Sequence, residues 1–279
     1  MKKKLCIGVL TFCDDSKSPR RFEILKRCLK SLEQLKRDDV FTYVWDNNSS
    51  DTVKEFISSQ SFLDEVYFSK NNLFDNVAVN FLAEKAKSID AEFVCYMDDD
   101  ILLYDHEFLD DCLLFMESNK DCGALRVLKY EFDRKELYDK FLKHPNMDVG
   151  NAQRHFNQIS KQQLNWESCG THGSRTFYKN NWHFYTLPTI CRTAVFDTIV
   201  PKEDCRPLQG VELHMMTRYH ELGLKTGVLD KGAMSHLGVK SSSSRIQFEN
   251  SPGASGYPDV SWESVTQEID NAHKIKLER

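Results

Sequence analysis

The sequence predicts an α/β fold in which helices flank a mainly parallel sheet. Three observations lead to this prediction. Short apolar stretches alternate with amphipathic ones over the first 130 residues, the apolar stretches have the length of strands, and small polar residues separate them. Such alternation is typical of βαβ units, in which each helix crosses back over a face of the sheet. A chain of 279 residues is also long enough to bury a sizeable core.

The elements of the first half follow in order. Residues 5–12 are predicted to form a buried strand, because they are almost continuously apolar. From Pro19 to Lys36, apolar residues recur at helical spacing, and lysines and arginines occupy the other faces. The same reasoning predicts strands over 41–45, 65–68, 93–97 and 124–130, and helices up to Ser59, over 76–87 and over 107–118.

The pattern weakens after residue 130. Residues 131–181 are polar and weakly periodic, and so long a segment in a compact enzyme is typical of a lid or a substrate-binding insertion. We expect the lid over about 151–181. Order resumes at 182–190, with helices predicted over 192–199 and 211–222 and strands over 226–229 and 233–236. Serines 241–244 and two later proline turns predict a mobile connection, followed by a terminal helix over 262–275.

Composition and charge limit the classes of function. No apolar run approaches the ~20 residues that span a bilayer, and no signal peptide is evident, so we expect a cytoplasmic protein. The nine cysteines form no C-x-x-C pair, which argues against a disulfide framework or a zinc knuckle. A net charge of -5 argues against a nucleic-acid binder. Residues 1–40 carry 11 basic against six acidic residues, so this region could contact the inner face of the membrane, unless it is simply a solvated helix face.

Three consecutive carboxylates follow the strand at 93–97. Parallel strands present their C-terminal ends to the ligand crevice, so Asp98, Asp99 and Asp100 should face a ligand. Neighbouring side chains at a strand end point to opposite sides, which allows Asp98 and Asp100 to converge on one centre. A cation would offset their repulsion, and oxygen ligands suit Mg²⁺ or Mn²⁺. The alternative is a solvated acidic turn or the cap of the next helix.

A second polar turn, Asp46 to Asp51, also follows a predicted strand. The carboxylate of Asp46 could accept hydrogen bonds from the edge of a nucleobase, and the adjacent helix start offers free N–H groups. Taken alone, this segment is simply a capped turn.

These segments resemble a known family. The strand end Leu10-Thr11-Phe12, the Asp46 turn, the stretch 72–80 and the acidic triplet are similar to the nucleotide-sugar half of a GT-A glycosyltransferase of family 2. The resemblance implies a GT-A type, Rossmann-like sheet, an inverting transfer from a UDP-sugar, and Mn²⁺ or Mg²⁺ as cofactor. It implies donor-binding roles for Thr11, Phe12, Asp46, Asn72, Asp98 and Asp99, with Asp46 on the uracil, and it places Asp100 on the metal at the diphosphate.

The second half extends the resemblance by spacing. Family members carry an acidic pair, then an Arg, a Gly and a His at intervals that Val211-Glu212, Arg218, Gly223 and His236 reproduce. The resemblance implies that Glu212 is the general base and that His236 lies near the metal and the diphosphate. Asp204, in a literal acidic pair upstream, is the rival base. Trp182 and His183 lie in an aromatic stretch that resembles the acceptor-binding segment of sugar-polymer enzymes.

The resemblance also implies an organisation and partners. Residues 1–130 form a nucleotide-sugar-binding half, 131–238 a lid and acceptor-binding half of the same domain, and 239–279 a C-terminal connection and helix. The expected acceptor is a hydroxyl of a saccharide or lipid-linked saccharide in the synthesis of a surface polysaccharide or lipooligosaccharide. A sugar nucleotidyltransferase and a non-catalytic nucleotide-sugar-binding module remain as alternatives, the latter because Val79 and Val211 depart from the family pattern.

Overall fold

A nine-stranded sheet organises the described part of the chain. The computed structural model describes residues 3–103, 105–127, 167–180, 188–202, 210–230 and 232–236. The strands are β1 Leu5–Thr11, β2 Val40–Asp46, β3 Glu65–Phe68, β4 Phe93–Asp98, β5 Ile101–Leu103, β6 Cys122–Arg126, β7 Glu167–His172, β8 Arg175–Asn180, β9 Thr189–Arg192, β10 Lys225–Leu229 and β11 Met234–His236. The helices are α1 Pro19–Leu32, extended by a 3₁₀ turn Glu33–Leu35, then α2 Asp51–Ser58, α3 Phe74–Ser88, α4 Phe108–Ser118, α5 Thr193–Ile199 and α6 Gly210–Glu221.

The first half of the sheet is parallel. Its strands lie in the order β3-β2-β1-β4, and all three neighbouring pairs are parallel. The predicted α/β class is therefore confirmed, as are the predicted strands and helices up to residue 118, apart from shifts of a few residues at their ends. The short strand β5 was not predicted. It pairs antiparallel with β11 in a separate two-stranded sheet, outside the large one.

The second half of the sheet is mixed. Strand β9 is inserted between β4 and β6 and runs antiparallel to both. Beyond β6 lies β10, which is parallel to it, followed by the antiparallel hairpin β8 and β7. A strand from late in the chain thus lies between two strands from its first half, and one hydrogen-bonded sheet spans both.

Helices cover the two faces of the sheet. On one face, α1, α2 and α4 pack over a core that includes Ile7, Leu25 and Phe115. On the other face, α3, α5 and α6 pack over a second core that includes Trp45 and Phe81. Strands that are buried on both faces show no polar alternation, which is why β1, β2 and β4 have nearly continuous apolar sequences.

The hairpin β7–β8 lies in the segment for which a lid is predicted. Residues 167–180 instead extend the sheet beside β10, because Phe177 is buried in the core and the strand pairs along its length. Gly173 has a φ of +60° at the turn, as a two-residue hairpin with glycine first requires. The rest of the predicted lid, 151–166 and 181, lies outside the described residues, as does the predicted terminal helix.

Gly173 is expected to be the most sensitive glycine of this hairpin. A Cβ at this position would lie 1.6 Å from Oδ1 of Asp111, whose Oδ2 accepts hydrogen bonds of 2.9 Å from both the backbone N–H and the hydroxyl of Ser174. Gly173→Ala should therefore lower the free energy of unfolding by about 2–4 kcal/mol, through backbone strain and lost hydrogen bonds. Thermal unfolding measures this loss.

Gly170 provides the matched control in the same hairpin. Its φ is +72°, but no atom lies within 4 Å of a Cβ placed there. Gly170→Ala should therefore cost only the backbone strain, about 1–2 kcal/mol. Equal losses from the two variants would contradict the docking of the hairpin on α4.

Membrane insertion of a helix has no support in the described ranges. None of the helices there combines the length and the apolar character needed to cross a bilayer.

Candidate active site

The predicted donor residues lie at one edge of the parallel half. Thr11, Asp46 and Asp98 end β1, β2 and β4, and the strand register places Thr11 beside Asp46 and Leu10 beside Asp98. The chain leaves β1 toward β2 on one side, while β4 lies on its other side, so the strand order reverses at β1. Open α/β sheets bind ligands in the crevice at such a switch point.

Asp46 is a fully buried carboxylate at this crevice. Its Oδ2 accepts a hydrogen bond of 3.0 Å from the backbone N–H of Ser49, in a turn where Asn48 adopts a φ of +68°. Its Oδ1 has no hydrogen-bond partner among the described residues. Burial raises the pKa of Asp46, and the hydrogen bonds from Ser49 oppose that shift. A buried acceptor oxygen with no protein donor is suited to a donor from a ligand.

Asn47 links the Asp46 turn to the loop that carries Asn72. Its side-chain oxygen accepts hydrogen bonds from the indole N–H of Trp45, at 3.0 Å, and from the backbone N–H of Leu73, at 3.3 Å. Asn72 therefore lies on a loop that is tied to the crevice, and its side chain is half-buried. Sequence reasoning did not single out Asn47, although it lies within the polar turn that was noted.

The acid loop, residues 98–100, holds the triplet of aspartates. Asp99 is fully buried. Its Oδ2 accepts a hydrogen bond of 2.6 Å from the hydroxyl of Thr11, and its Oδ1 accepts one from the guanidinium of Arg21. Burial raises the pKa of Asp99 to about 6, and Arg21 opposes the shift. Thr11 and Asp99 are thus occupied with each other, beneath the crevice.

Asp98 and Asp100 flank that anchored residue. Asp98 is half-buried and Asp100 is buried. Burial raises the pKa of Asp98 well above its usual range, and the neighbouring Asp100, Asp99 and Glu212 raise it further. Carboxyl groups are thus crowded at this end of β4, where a cation would relieve the repulsion between their ionised forms.

His236 lies near the acid loop in the backbone register. It ends β11, and it pairs with Ile101, the residue that follows Asp100. The backbone of His236 is therefore paired with the strand that begins directly after Asp100, although the two predicted metal ligands are far apart in sequence.

Glu212 comes from the second half of the chain. It lies in the first turn of α6, next to Val211, which is buried in the core against α3 and α5 together with Met215 and Tyr219. Glu212 itself is half-buried. Its carboxylate raises the pKa of Asp98, so the two lie close enough to interact electrostatically. The apolar face of α6 therefore sets the base candidate at the crevice.

Asp75 was missed by the sequence analysis. It lies in the first turn of α3, half-buried, and burial raises its pKa to about 6. Burial, and next the charge of Asp75, raise the pKa of Glu212 to about 7. The described part of the site thus contains carboxylates from four elements, β2, α3, the acid loop and α6. No periodicity in the sequence marks such a contact.

A second link joins α3 to the chain that leads into α6. The amide of Asn80 donates a hydrogen bond of 2.7 Å to the backbone oxygen of Pro201, just after α5. The rival base Asp204 and the predicted acceptor residues Trp182 and His183 lie outside the described residues.

Whether a divalent cation fits this site depends on the side-chain ligands that the site offers. The described residues contain no group of three or more His, Cys, Asp or Glu side chains that could hold a metal ion. Mg²⁺ and similar ions are commonly held by one or two carboxylates together with substrate phosphates. Asp98 and Asp100 match that smaller set, so the residues fit a cation that is shared with a bound diphosphate.

Comparisons with known proteins agree with this geometry. Residues 1–349 of S. aureus TarS match with 18% identity and a TM-score of 0.52, over 95% of this chain and 69% of that one. The same TarS fragment in complex with UDP matches with 19% identity and a TM-score of 0.51, over 83% and 60%. The mannosyltransferase PcManGT from Pyrobaculum calidifontis, in complex with GDP-Man and Mn²⁺, matches with 13% identity and a TM-score of 0.53, over 89% and 61%. At these identities the similarity establishes the fold.

The sequence comparisons identify the family. A search of curated proteins finds no match. The family model of glycosyl transferase family 2, however, matches residues 20–184, which is more than half of the chain. Together with the fold, this match identifies the chain as a GT-A member of glycosyl transferase family 2.

Proposed function

We propose that the protein is an inverting glycosyltransferase that moves a sugar from a UDP-sugar to a hydroxyl of a saccharide acceptor. The acceptor would be a saccharide or lipid-linked saccharide in surface polysaccharide or lipooligosaccharide synthesis. One observation carries the proposal. Glu212, in the first turn of α6, lies within electrostatic range of Asp98 at the end of β4, so a base candidate from the second half is brought to the acidic end of the donor strands.

The donor side would bind the nucleotide through the edge of its base. The buried Oδ1 of Asp46, which no described residue bonds, could accept the N–H of a uracil ring. Thr11, Phe12 and Asn72 border that position at the strand ends and in the loop tied by Asn47. The TarS structure with UDP supports a uridine nucleotide in this fold, and the mannosyltransferase structure supports a nucleotide sugar in general.

Asp98 and Asp100, with His236 at the end of β11, would hold a divalent cation at the diphosphate. When bound, such an ion supplies Lewis-acid stabilisation of the charge that grows on the departing diphosphate. The Mn²⁺ in the mannosyltransferase structure supports this assignment. Asp99 would bind no ligand directly in this scheme, since both its oxygens already bond to Thr11 and Arg21.

Glu212 would act as the general base. Its carboxylate takes the proton of the acceptor hydroxyl as that oxygen forms a bond to the anomeric carbon. The bond from this carbon to the diphosphate oxygen breaks on the opposite side, and its electron pair leaves with the diphosphate. The configuration at the anomeric carbon is therefore inverted. Trp182, His183 and the remaining part of the predicted lid, 151–166, would position the acceptor and exclude water. A cytoplasmic location with peripheral membrane contact remains part of the proposal.

The test is a panel of UDP- and dTDP-sugars with Mn²⁺. A ligand that binds only the native state raises the melting temperature, so one UDP-sugar should stabilise the protein in a metal-dependent way. Release of UDP with a saccharide acceptor would then support transfer. Release of pyrophosphate instead would indicate a nucleotidyltransferase, and binding without turnover a non-catalytic module.

The pH dependence of the reaction should report Glu212. A base must be ionised to accept a proton, so kcat/KM should rise with pH through the pKa of Glu212, which is about 7. Asp75→Asn removes a like charge, so the acidic limb should move to lower pH by roughly 0.5–1 unit. A pH profile of kcat/KM measures the shift.

Asp110 offers the matched control for Asp75. It lies in the first turn of α4 and is exposed, where it pairs with Arg37. Asp110→Asn therefore removes the same charge from the first turn of another helix, where the carboxylate pairs with Arg37, and should leave the profile in place. An unchanged profile in Asp75→Asn would contradict the coupling between the two carboxylates.

A further inference from the structure

Arg21 connects three elements at the acid loop. It lies in the first turn of α1, and its guanidinium is largely buried, with 14% of the side chain exposed. One nitrogen, Nη2, donates to Oδ1 of Asp99. Another, Nε, donates at 3.1 Å to the backbone oxygen of Phe12, just after β1. A planar guanidinium can make both bonds at once, so α1, the end of β1 and the acid loop are held together by a single side chain.

The bond to Asp99 constrains its two neighbours. Adjacent side chains at the end of a strand point to opposite sides. Both oxygens of Asp99 are bonded, one to Arg21 and one to Thr11 at 2.6 Å, so its direction is set. In β4, Met97 packs in the core on the α1 face and Tyr96 in the core on the other face, so the alternation places Asp98 on the face opposite α1. Asp100 follows Asp99 directly in the turn. Fixing the central residue of the triplet thus constrains the backbone that carries both flanking carboxylates.

Charge reinforces this role. Arg21 interacts electrostatically with all three aspartates of the acid loop. Like charges that lie close together repel each other, and a buried cation beside them reduces the cost of that arrangement. A second tie runs between α1 and β5, because the hydroxyl oxygen of Ser31 accepts the backbone N–H of Leu103 at 3.0 Å. The loop is thus anchored to α1 at its central residue and again just after the triplet.

We propose that Arg21 is a positioning residue of the donor site, which presents Asp98 and Asp100 to the diphosphate of the donor and its divalent cation. This inference rests on the proposed function. Arg21 touches neither ligand, and it acts through Asp99 and the end of β1. Its replacement should therefore weaken metal-dependent nucleotide binding by an amount that the loss of fold stability does not explain.

The test measures binding of Mn²⁺ in the presence of UDP, by electron paramagnetic resonance of the free ion and by calorimetry. Arg21→Ala should weaken Mn²⁺ binding by roughly 10–100-fold, the range typical of residues that orient ligands. Arg21→Lys keeps the charge but cannot make both bonds. Its affinity for Mn²⁺ should therefore fall between that of Arg21→Ala and that of the wild type. Arg37→Ala is the control, because Arg37 pairs with Asp39 and Asp110 at the opposite end of β1, and it should bind as the wild type does.

A double variant separates positioning from stability. Arg21→Met with Asp99→Leu removes both buried charges, and replacing a buried ion pair by apolar residues commonly preserves stability. If Arg21 positions the flanking aspartates, this variant should melt near the wild-type temperature and still bind Mn²⁺ weakly. This variant and Arg21→Lys carry the test should Arg21→Ala fail to fold.

Two results would overturn the proposal. Normal Mn²⁺ affinity in the folded Arg21 variants, or in the stable double variant, would reduce Arg21 to a structural role. Failure of the wild type to bind UDP with Mn²⁺ would instead remove the proposed function, and the inference with it, so the two failures are distinguishable.

Discussion

Replacing Glu212 with glutamine is expected to lower kcat by about 10²–10⁴-fold, the usual contribution of a general base. Glutamine has nearly the same shape but cannot take a proton from the acceptor hydroxyl. Glu212 lies at the crevice, while the face of α6 that packs in the core is formed by other residues, including Val211. The melting temperature and the affinity for UDP should therefore stay close to those of the wild type. Steady-state kinetics with the donor found in the panel measures the loss.

Glu221 supplies the control on the same helix. It lies at the other end of α6, exposed, in a salt bridge with Arg218. Glu221→Gln should change neither kcat nor stability by a measurable amount, since exposed ion pairs contribute little. A near-normal rate in Glu212→Gln would contradict the assignment of Glu212 as the general base and would favour Asp204.

Asp100→Asn is expected to weaken Mn²⁺-dependent binding of UDP by more than the roughly 10–100-fold typical of residues outside the ligand set. An amide has the shape of the carboxylate but lacks its charge, so it binds a hard cation poorly. Binding of UDP without metal should change much less, because Asp46 lies on a separate strand. Calorimetric titration of UDP, with and without Mn²⁺, measures both quantities.

Asp121 serves as the control for this charge loss. It is half exposed, next to β6, and its partners are Lys179 and Lys225. Asp121→Asn should leave both titrations unchanged. Equal affinities for UDP with Mn²⁺ in Asp100→Asn and the wild type would reject Asp100 as a metal ligand.

The parallel half of the fold could be predicted because its signals are local. Strands buried on both faces give continuous apolar runs, and helices give a repeat of 3.6 residues. The same rule located Asp46 and Asp98, since the C-terminal ends of parallel strands share one edge. Spacing within a family pattern identified Glu212 as the base candidate, and in the structure Glu212 lies within electrostatic range of Asp98.

The parts that were missed depend on contacts between distant residues. Strand β5 has only three residues and exists through its pairing with β11, more than 130 positions away. In the hairpin β7–β8, most residues of β7 are exposed and most residues of β8 are half-buried, so the apolar pattern of the hairpin is weak. Asp75 is relevant to the site because it raises the pKa of Glu212, which lies on another helix. Local propensity carries no information about such pairings.

The insertion of β9 between β4 and β6 bears on how this enzyme could be divided or recombined. A fragment ending near residue 130 would keep β4 and β6 but lose the strand that joins them. Such a fragment should fail to fold alone, and mixing it with the remaining piece should restore activity only if the pieces assemble. Chimaeras that exchange acceptor specificity with a relative should therefore carry β9 together with the donor half and change only the segments on either side of it.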